Sequence, residues 1–202
     1  MLMRRSEFEC FDSQILQTML AKIEFGVMVI PDDEPYGVPI SFCYEEGEIY
    51  FHGAKSGRKY HLLKENPKVS FSATKVYSYI PSYFLNNTMI PTQFFFSVYL
   101  SGIFETITDH QRKKHILKAL VQKYEPYNDS LNMDLGQFKG QERGVFVGII
   151  KVESQSIKAK FGQNLKQEAR EQIIKDLTNR GTLLDQETIE MMRYFSSSLK
   201  VC

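Results

Sequence analysis

The sequence predicts a mainly β, α+β fold in which hairpin-linked antiparallel strands curl into a small closed or partly closed barrel, with helices outside it. Three observations carry this prediction. Several short segments alternate apolar and polar residues, the period of a half-buried strand. Turn residues separate them at hairpin spacing, as in Glu45-Glu46-Gly47. Aromatic residues are abundant, with 15 Phe and 11 Tyr, and these side chains favour pleated surfaces.

The elements follow in order. Asp12 reads as an N-cap, and Ile15, Leu16, Met19, Leu20 and Ile23 recur at helical spacing. The spacing predicts a helix over 13–24, ended by Gly26. Residues 27–30 form a short buried strand, and 31–35 a proline-rich turn. Residues 36–44 (YGVPISFCY) read as a strand, with 48–52 returning after the hairpin turn. Ser56 caps a short helix to Lys64, stopped by Asn66-Pro67. Residues 69–73 alternate as a strand. Residues 75–92 lack a clear period and read as a long loop, of which 75–90, with Tyr77, Tyr79, Tyr83 and Phe84, is expected to lid a site. Residues 93–104 alternate again. A helix follows over 109–124, then a polar loop over 125–142. Residues 144–152 are the last main strand, with 154–161 extending it. Two helices close the chain, one over about 166–179 stopped by Gly181 and one starting behind Asp185.

Composition narrows the function classes. At 202 residues the chain suits one domain, or one domain with an appendage. The formal charge of +1 argues against a nucleic-acid surface. Cys10, Cys43 and Cys202 are scattered and odd in number, so they read as free thiols in a reducing compartment. No segment reads as a signal peptide or a membrane span, and the expected location is cytoplasmic. The four histidines show no metal-ligand spacing, and no nucleophile elbow is present.

Residues 51–66 (FHGAKSGRKYHLLKEN) are the most informative for chemistry. A strand end leads into a turn with two glycines, a serine cap, and Lys55, Arg58 and Lys59 together. Backbone N–H groups at such a turn attract anions, Arg offers a fork and Lys a point charge. That set suits a mononucleotide phosphate; a solvated basic helix start is the plainer alternative. Residues 35–42 (PYGVPISF) place Pro39 inside a strand, which marks an edge or a bulge able to present backbone to a flat ring. Residues 91–102 (PTQFFFSVYLSG) set Thr92, Gln93 and Ser97 among aromatics, facing either a ligand or solvent.

Taken in order with Met3-Arg4-Arg5-Ser6, these segments resemble the pyridoxamine phosphate oxidase-like flavin-binding proteins, in the nitroimidazole-resistance-type branch, over roughly residues 1–152. The tail at 158–180 is similar to the K-x-K-x-x-Q-N segment and helix of flavin-binding split-barrel proteins described as negative regulators. The resemblance implies a six-stranded antiparallel split barrel over 1–152, a C-terminal helical extension over 153–202 packed on it, and a homodimer binding FMN between protomers. Lys59, Arg58 and Lys55 would hold the phosphate with His52, Gly53 and Ala54. Pro39, Ile40 and Ser41 would border the isoalloxazine, and Thr92, Gln93 and Ser97 would reach it from the next strand. Gln163 and Asn164 match the tail motif without an assigned role. The phosphate turn departs from the T-N-x-x-S-R-K form of the oxidases proper, and their C-terminal substrate arginine and histidine have no counterpart, which disfavours vitamin B6 oxidation. The implied activity is FMN-dependent hydride transfer to a small acceptor, such as a nitro compound or a quinone. The alternatives are a flavin-binding sensor or regulator without turnover, and a barrel that takes haem or a deazaflavin.

Overall fold

The computed structural model describes residues 4–85, 90–128 and 144–198. Helix α1 (Ser13–Lys22) starts where the Asp12 carboxylate accepts from the backbone N–H groups of Gln14 and Ile15, at 2.8 and 3.0 Å. Two of the donors that a helix start leaves open are thereby satisfied. The helix stops at Lys22, earlier than expected, and Gly26 does not terminate it. Gly26 lies in β1 (Phe25–Ile30), where a Cβ would stand 2.1 Å from the Phe71 ring. A glycine is required there by an aromatic ring packed against the strand, not by a helix end.

The sheet is antiparallel and runs in the order β2-β1-β5-β6-β7-β4-β3, with β2 (Tyr36–Ser41), β3 (Cys43–Glu45), β4 (Glu48–Ala54), β5 (Lys68–Ile80), β6 (Thr92–Thr106) and β7 (Val145–Lys160). It has seven strands where six are expected, and the difference arises at Phe42. The single strand expected over 36–44 is interrupted there: its first part pairs with β1 and its second with β4. β2 and β3 therefore stand at opposite ends of the sheet order yet adjoin in the chain. The two ends of the sheet are joined through one residue, which is how an antiparallel sheet becomes a barrel. Phe42 is wholly buried, its ring 4.8 Å from that of Phe71 in an edge-on pair. The fold is the split barrel of the predicted α+β class, with helices at the C-terminal end.

The chain packs as two compact units, and β5, β6 and β7 each contribute residues to both. The first unit comprises Asp12–Ala73 and Val98–Ser156. In it, α2 (Gly57–Leu63) follows β4, and α3 (His110–Tyr124) is capped by the Asp109 carboxylate. Ile116 and Leu120 of α3 pack on Cys43, Tyr50, Val147 and Ile149. The end of α3 ties this unit together. Lys123 Nζ donates to the carbonyls of Leu20, Ile23 and Phe42 at 3.0, 2.7 and 2.8 Å, and lies 3.7 Å from the Phe42 ring centroid.

The second unit comprises Met1–Phe11, Thr74–Ser97 and Ile157–Cys202. Its core joins Tyr77, Phe94 and Phe161 to Phe195, the last stacked on Phe161 at 5.4 Å. Helix α4 (Gln167–Arg180) ends at Gly181 in the left-handed conformation, as the sequence predicts. Helix α5 (Leu183–Ser198) begins before Asp185, because Thr182 is its cap. Thr182 N–H donates to the Asp185 carboxylate and Asp185 N–H to the Thr182 hydroxyl, both at 3.1 Å. That reciprocal pair is a capping box.

The same network corrects the expected loop over 75–92. Residues 75–80 continue β5, and Ser82–Leu85 form a 3-10 turn. Ser78 is buried: its backbone N–H donates to Thr188 and its hydroxyl to Asp185, at 3.0 and 2.6 Å. Tyr77 and Phe84 are buried as well, while Tyr79 and Tyr83 are exposed, so one face of the segment is fixed by packing. The strand period was hidden because the consecutive Tyr77 and Ser78 are both covered. Residues 86–89 of the expected loop, and 129–142 of the later one, lie outside the described residues, as does Cys202. Cys10 and Cys43 are buried. Among the described residues no helix is long and apolar enough to cross a membrane.

Candidate functional site

The β4–α2 turn concentrates the predicted phosphate set within the first unit. The β4–β7 ladder, with His52 opposite Val147 and Gly53 opposite Phe146, fixes the approach to the turn. Beneath it, Phe51 and Phe146 pack edge-on at 5.9 Å. Lys59 then folds back from α2 onto the strand. Its Cε and Nζ stand 3.2 Å from where a Gly53 Cβ would be, with Phe146 2.8 Å from the same point. The absence of a side chain at Gly53 is what lets the ammonium lie there. Lys59 is half-buried, and desolvation lowers its pKa from the usual lysine value. Among the described residues no carboxylate is within ion-pair distance of it. His52 is held below the ordinary imidazole pKa, first by desolvation and then by the Lys59 charge.

The other two cations differ. Lys55 is exposed at the tip of the turn. The Arg58 guanidinium is already engaged: it donates twice to the Asp32 carboxylate, at 3.0 and 2.7 Å, and lies 4.6 Å from the Tyr36 ring centroid. Asp32, in the 31–35 turn, was not singled out by sequence, although an acid in the loop next to a basic turn was a usable signal. Ala54 closes β4, paired with Val145.

The β2 segment divides by face. Pro39 pairs with Val27 and Ser41 with Phe25, on the outward side of the strand. Ile40 points inward, is 4% exposed, and pairs with Gly26, so its side chain belongs to the core and only its backbone is available to a ligand. Pro39 sits in the terminal strand of the sheet order, where its missing N–H breaks no inner ladder.

Thr92, Gln93 and Ser97 belong to β6 within the second unit. Thr92 accepts a hydrogen bond from Lys160. The Gln93 side-chain amide donates to the Tyr77 carbonyl and, at 3.3 Å, to that of Phe94, so it is spent on the backbone. Ser97 is half-buried on the same strand face as Gln93. In the tail motif, Gln163 acquires a definite role. Its side chain accepts from Phe161 N–H at 2.7 Å and donates to the Ala159 carbonyl at 2.8 Å, clamping the turn after β7. Asn164 is exposed.

Comparison with known proteins agrees with this architecture. A family model described as pyridoxamine 5'-phosphate oxidase matches residues 12–142. A comparison with curated protein sequences gives no match. Among solved structures, a protein of Bacteroides thetaiotaomicron assigned to 5-nitroimidazole antibiotic resistance superposes with a TM-score of 0.63 at 22% identity, over 74% of this chain and 85% of that one. The flavocytochrome Anf3 of Azotobacter vinelandii gives 0.64 at 19% identity, over 79% and 72% of the two chains. An FAD- and haem-binding protein of Mycobacterium smegmatis gives 0.63 at 19%, over 75% and 73%. At these identities the likeness is one of fold.

Proposed function

Because this chain belongs to the pyridoxamine 5'-phosphate oxidase family, we propose that it binds FMN and acts as a flavin-dependent oxidoreductase toward a small acceptor, of the nitroreductase or flavin reductase kind. The observation that carries the cofactor reading is Lys59: a half-buried ammonium without a carboxylate partner among the described residues, laid against the bare backbone of Gly53. A cation in that condition is stabilised by an anion, and a terminal phosphate supplies one. Lys59 and Lys55 would hold that phosphate, joined by Arg58 when its guanidinium is shared with Asp32. His52, Gly53 and Ala54 would line it. Pro39 and Ser41, through side chain and backbone, and Ile40, through backbone alone, would border the ring. Thr92, Gln93 and Ser97, which the resemblance also names, belong to the other unit and are left out of this set.

Bound FMN would supply hydride or electron transfer between a reduced donor and an acceptor. The chain's own part is to hold and orient it. The resemblance also implies a homodimer. Phe25 and Val27 are 59% and 44% exposed on the outward face of β1, and Tyr99 is 50% exposed in β6 of the same unit. Aromatic and branched side chains exposed on a sheet face favour cover by a second copy.

The test is the absorption spectrum of purified protein after loading with FMN and desalting. Retained oxidised-flavin bands that bleach with NADH or NADPH and recover with a nitro compound or quinone are the expected result. Retained bands that neither nucleotide bleaches would favour a sensor, and haem bands would change the cofactor. Free passage of FMN through the column would remove the proposal.

A further inference from the structure

A second set of cations lies in the other unit. Lys158 and Lys160 stand two residues apart on β7, so their side chains leave the same face of the strand, with Cα atoms roughly 7 Å apart. Both are half-buried. Lys158 Nζ lies 5.8 Å from the Phe8 ring centroid and 5.7 Å from that of Phe95. The Arg5 guanidinium lies 5.2 Å from the same Phe8 centroid. Lys160 Nζ donates to the Thr92 hydroxyl. Arg5 pairs with Glu7 at 2.5 Å, while among the described residues no carboxylate is within ion-pair distance of either lysine. Desolvation, followed by the charges of Lys158 and Arg5, lowers the Lys160 pKa.

Three cations thus stand beside two aromatic rings; Glu7 pairs with Arg5, and Glu9, bridged through its backbone to Lys158, makes no ion pair with either lysine among the described residues. Adjacent like charges on a strand face repel, and partial burial strengthens the repulsion. The ring faces of Phe8 and Phe95 offset part of that repulsion, and the Gln163 clamp holds the strand end that carries the two lysines in one conformation. We propose that Arg5, Lys158 and Lys160 form a binding site for a small oxyanion, the phosphate or carboxylate group of a soluble metabolite, with the Thr92 hydroxyl as a further contact. In this reading the K-x-K-x-x-Q-N segment consists of two anion ligands and the residue that positions them. The site uses none of the residues of the β4–α2 turn.

The test uses the full chain with its lysines reductively methylated with a carbon-13 label, which keeps their charge. Lys158→Arg and Lys160→Arg assign the two resonances. The protein is titrated with pyrophosphate and, separately, with succinate at low ionic strength. Saturable shifts of both resonances are expected, and Lys158→Met/Lys160→Met should lower the affinity for the responding anion at least tenfold. A response to pyrophosphate alone assigns phosphate, to succinate alone carboxylate, and either supports the site. The double variant should melt no lower than the parent when ligand-free, since two unpaired charges are removed; should it fail to fold, the parent titration decides. No saturable shift with either anion overturns the proposal. So does a response seen only with FMN, at the concentration at which its absorbance reports binding, because the lysines would then belong to the cofactor.

Discussion

Lys59 and Gly53 act as a pair, one supplying charge and the other the space for it. Lys59→Ala is expected to weaken FMN binding by about 1.5–3 kcal/mol, the range for hydrogen bonds to charged groups, as read by calorimetric titration. Gly53→Ala leaves every charge in place but brings a methyl group against Phe146 and the end of Lys59. It should weaken FMN binding without changing net charge, and unaltered affinity would show that the ammonium does not need its present seat. His52 reports on the same place. Its folded-state pKa is depressed, so the native state favours the neutral ring. Its contribution to stability is present above the unfolded imidazole value of about 6.5 and diminishes as pH falls below it. In Lys59→Met the His52 titration, followed by NMR, should move up toward the ordinary value without reaching it, because desolvation is the larger cause.

At the scale of elements, the least visible organiser is Lys123. In the sequence it is one more cation on an amphipathic helix. In the structure it donates to three carbonyls, two at the end of α1 and one at Phe42. Burial pulls its pKa down to about 8. Lys123→Met keeps the stem but leaves three carbonyls without that donor, and should cost at least about 2 kcal/mol in urea unfolding. A loss within experimental error would mean that water replaces the ammonium fully. Helices were legible where spacing and caps agree: Asp12, Asp109 and Gly181 mark their boundaries correctly. Asp185 misled because an acid three residues past a threonine satisfies the same capping-box pattern from inside the helix. The continuation of β5 was illegible for a related reason, since the partners that bury Ser78 lie more than a hundred residues away.

For the whole molecule, alternation and turn spacing identify strands but not how often one strand changes partner. The barrel class was therefore readable and the break at Phe42 was not. The basic turn was readable as a cluster because its residues are consecutive. The engagement of Arg58 by Asp32, across 26 positions, was not. The outward face of β1 makes a prediction at this scale. Val27→Lys should shift a dimer toward monomer in light scattering coupled to size exclusion, with FMN affinity falling in parallel if the cofactor lies between protomers. An unchanged mass would place the dimer contact elsewhere.

The joint at Phe42 also bears on how quickly the native state is reached. β2 and β3 adjoin in the chain, but the strand beside β3 is completed only when β4 meets β7, about a hundred positions downstream. Loop-closure entropy must be overcome before that ladder gives anything back. Refolding should accordingly be slow for a chain of this size, with the β4–β7 pairing as the late event, and β4 is the strand that leads directly into the Lys59 turn. During refolding, flavin capture would then lag behind the recovery of helical signal, which makes the cofactor a reporter of barrel closure.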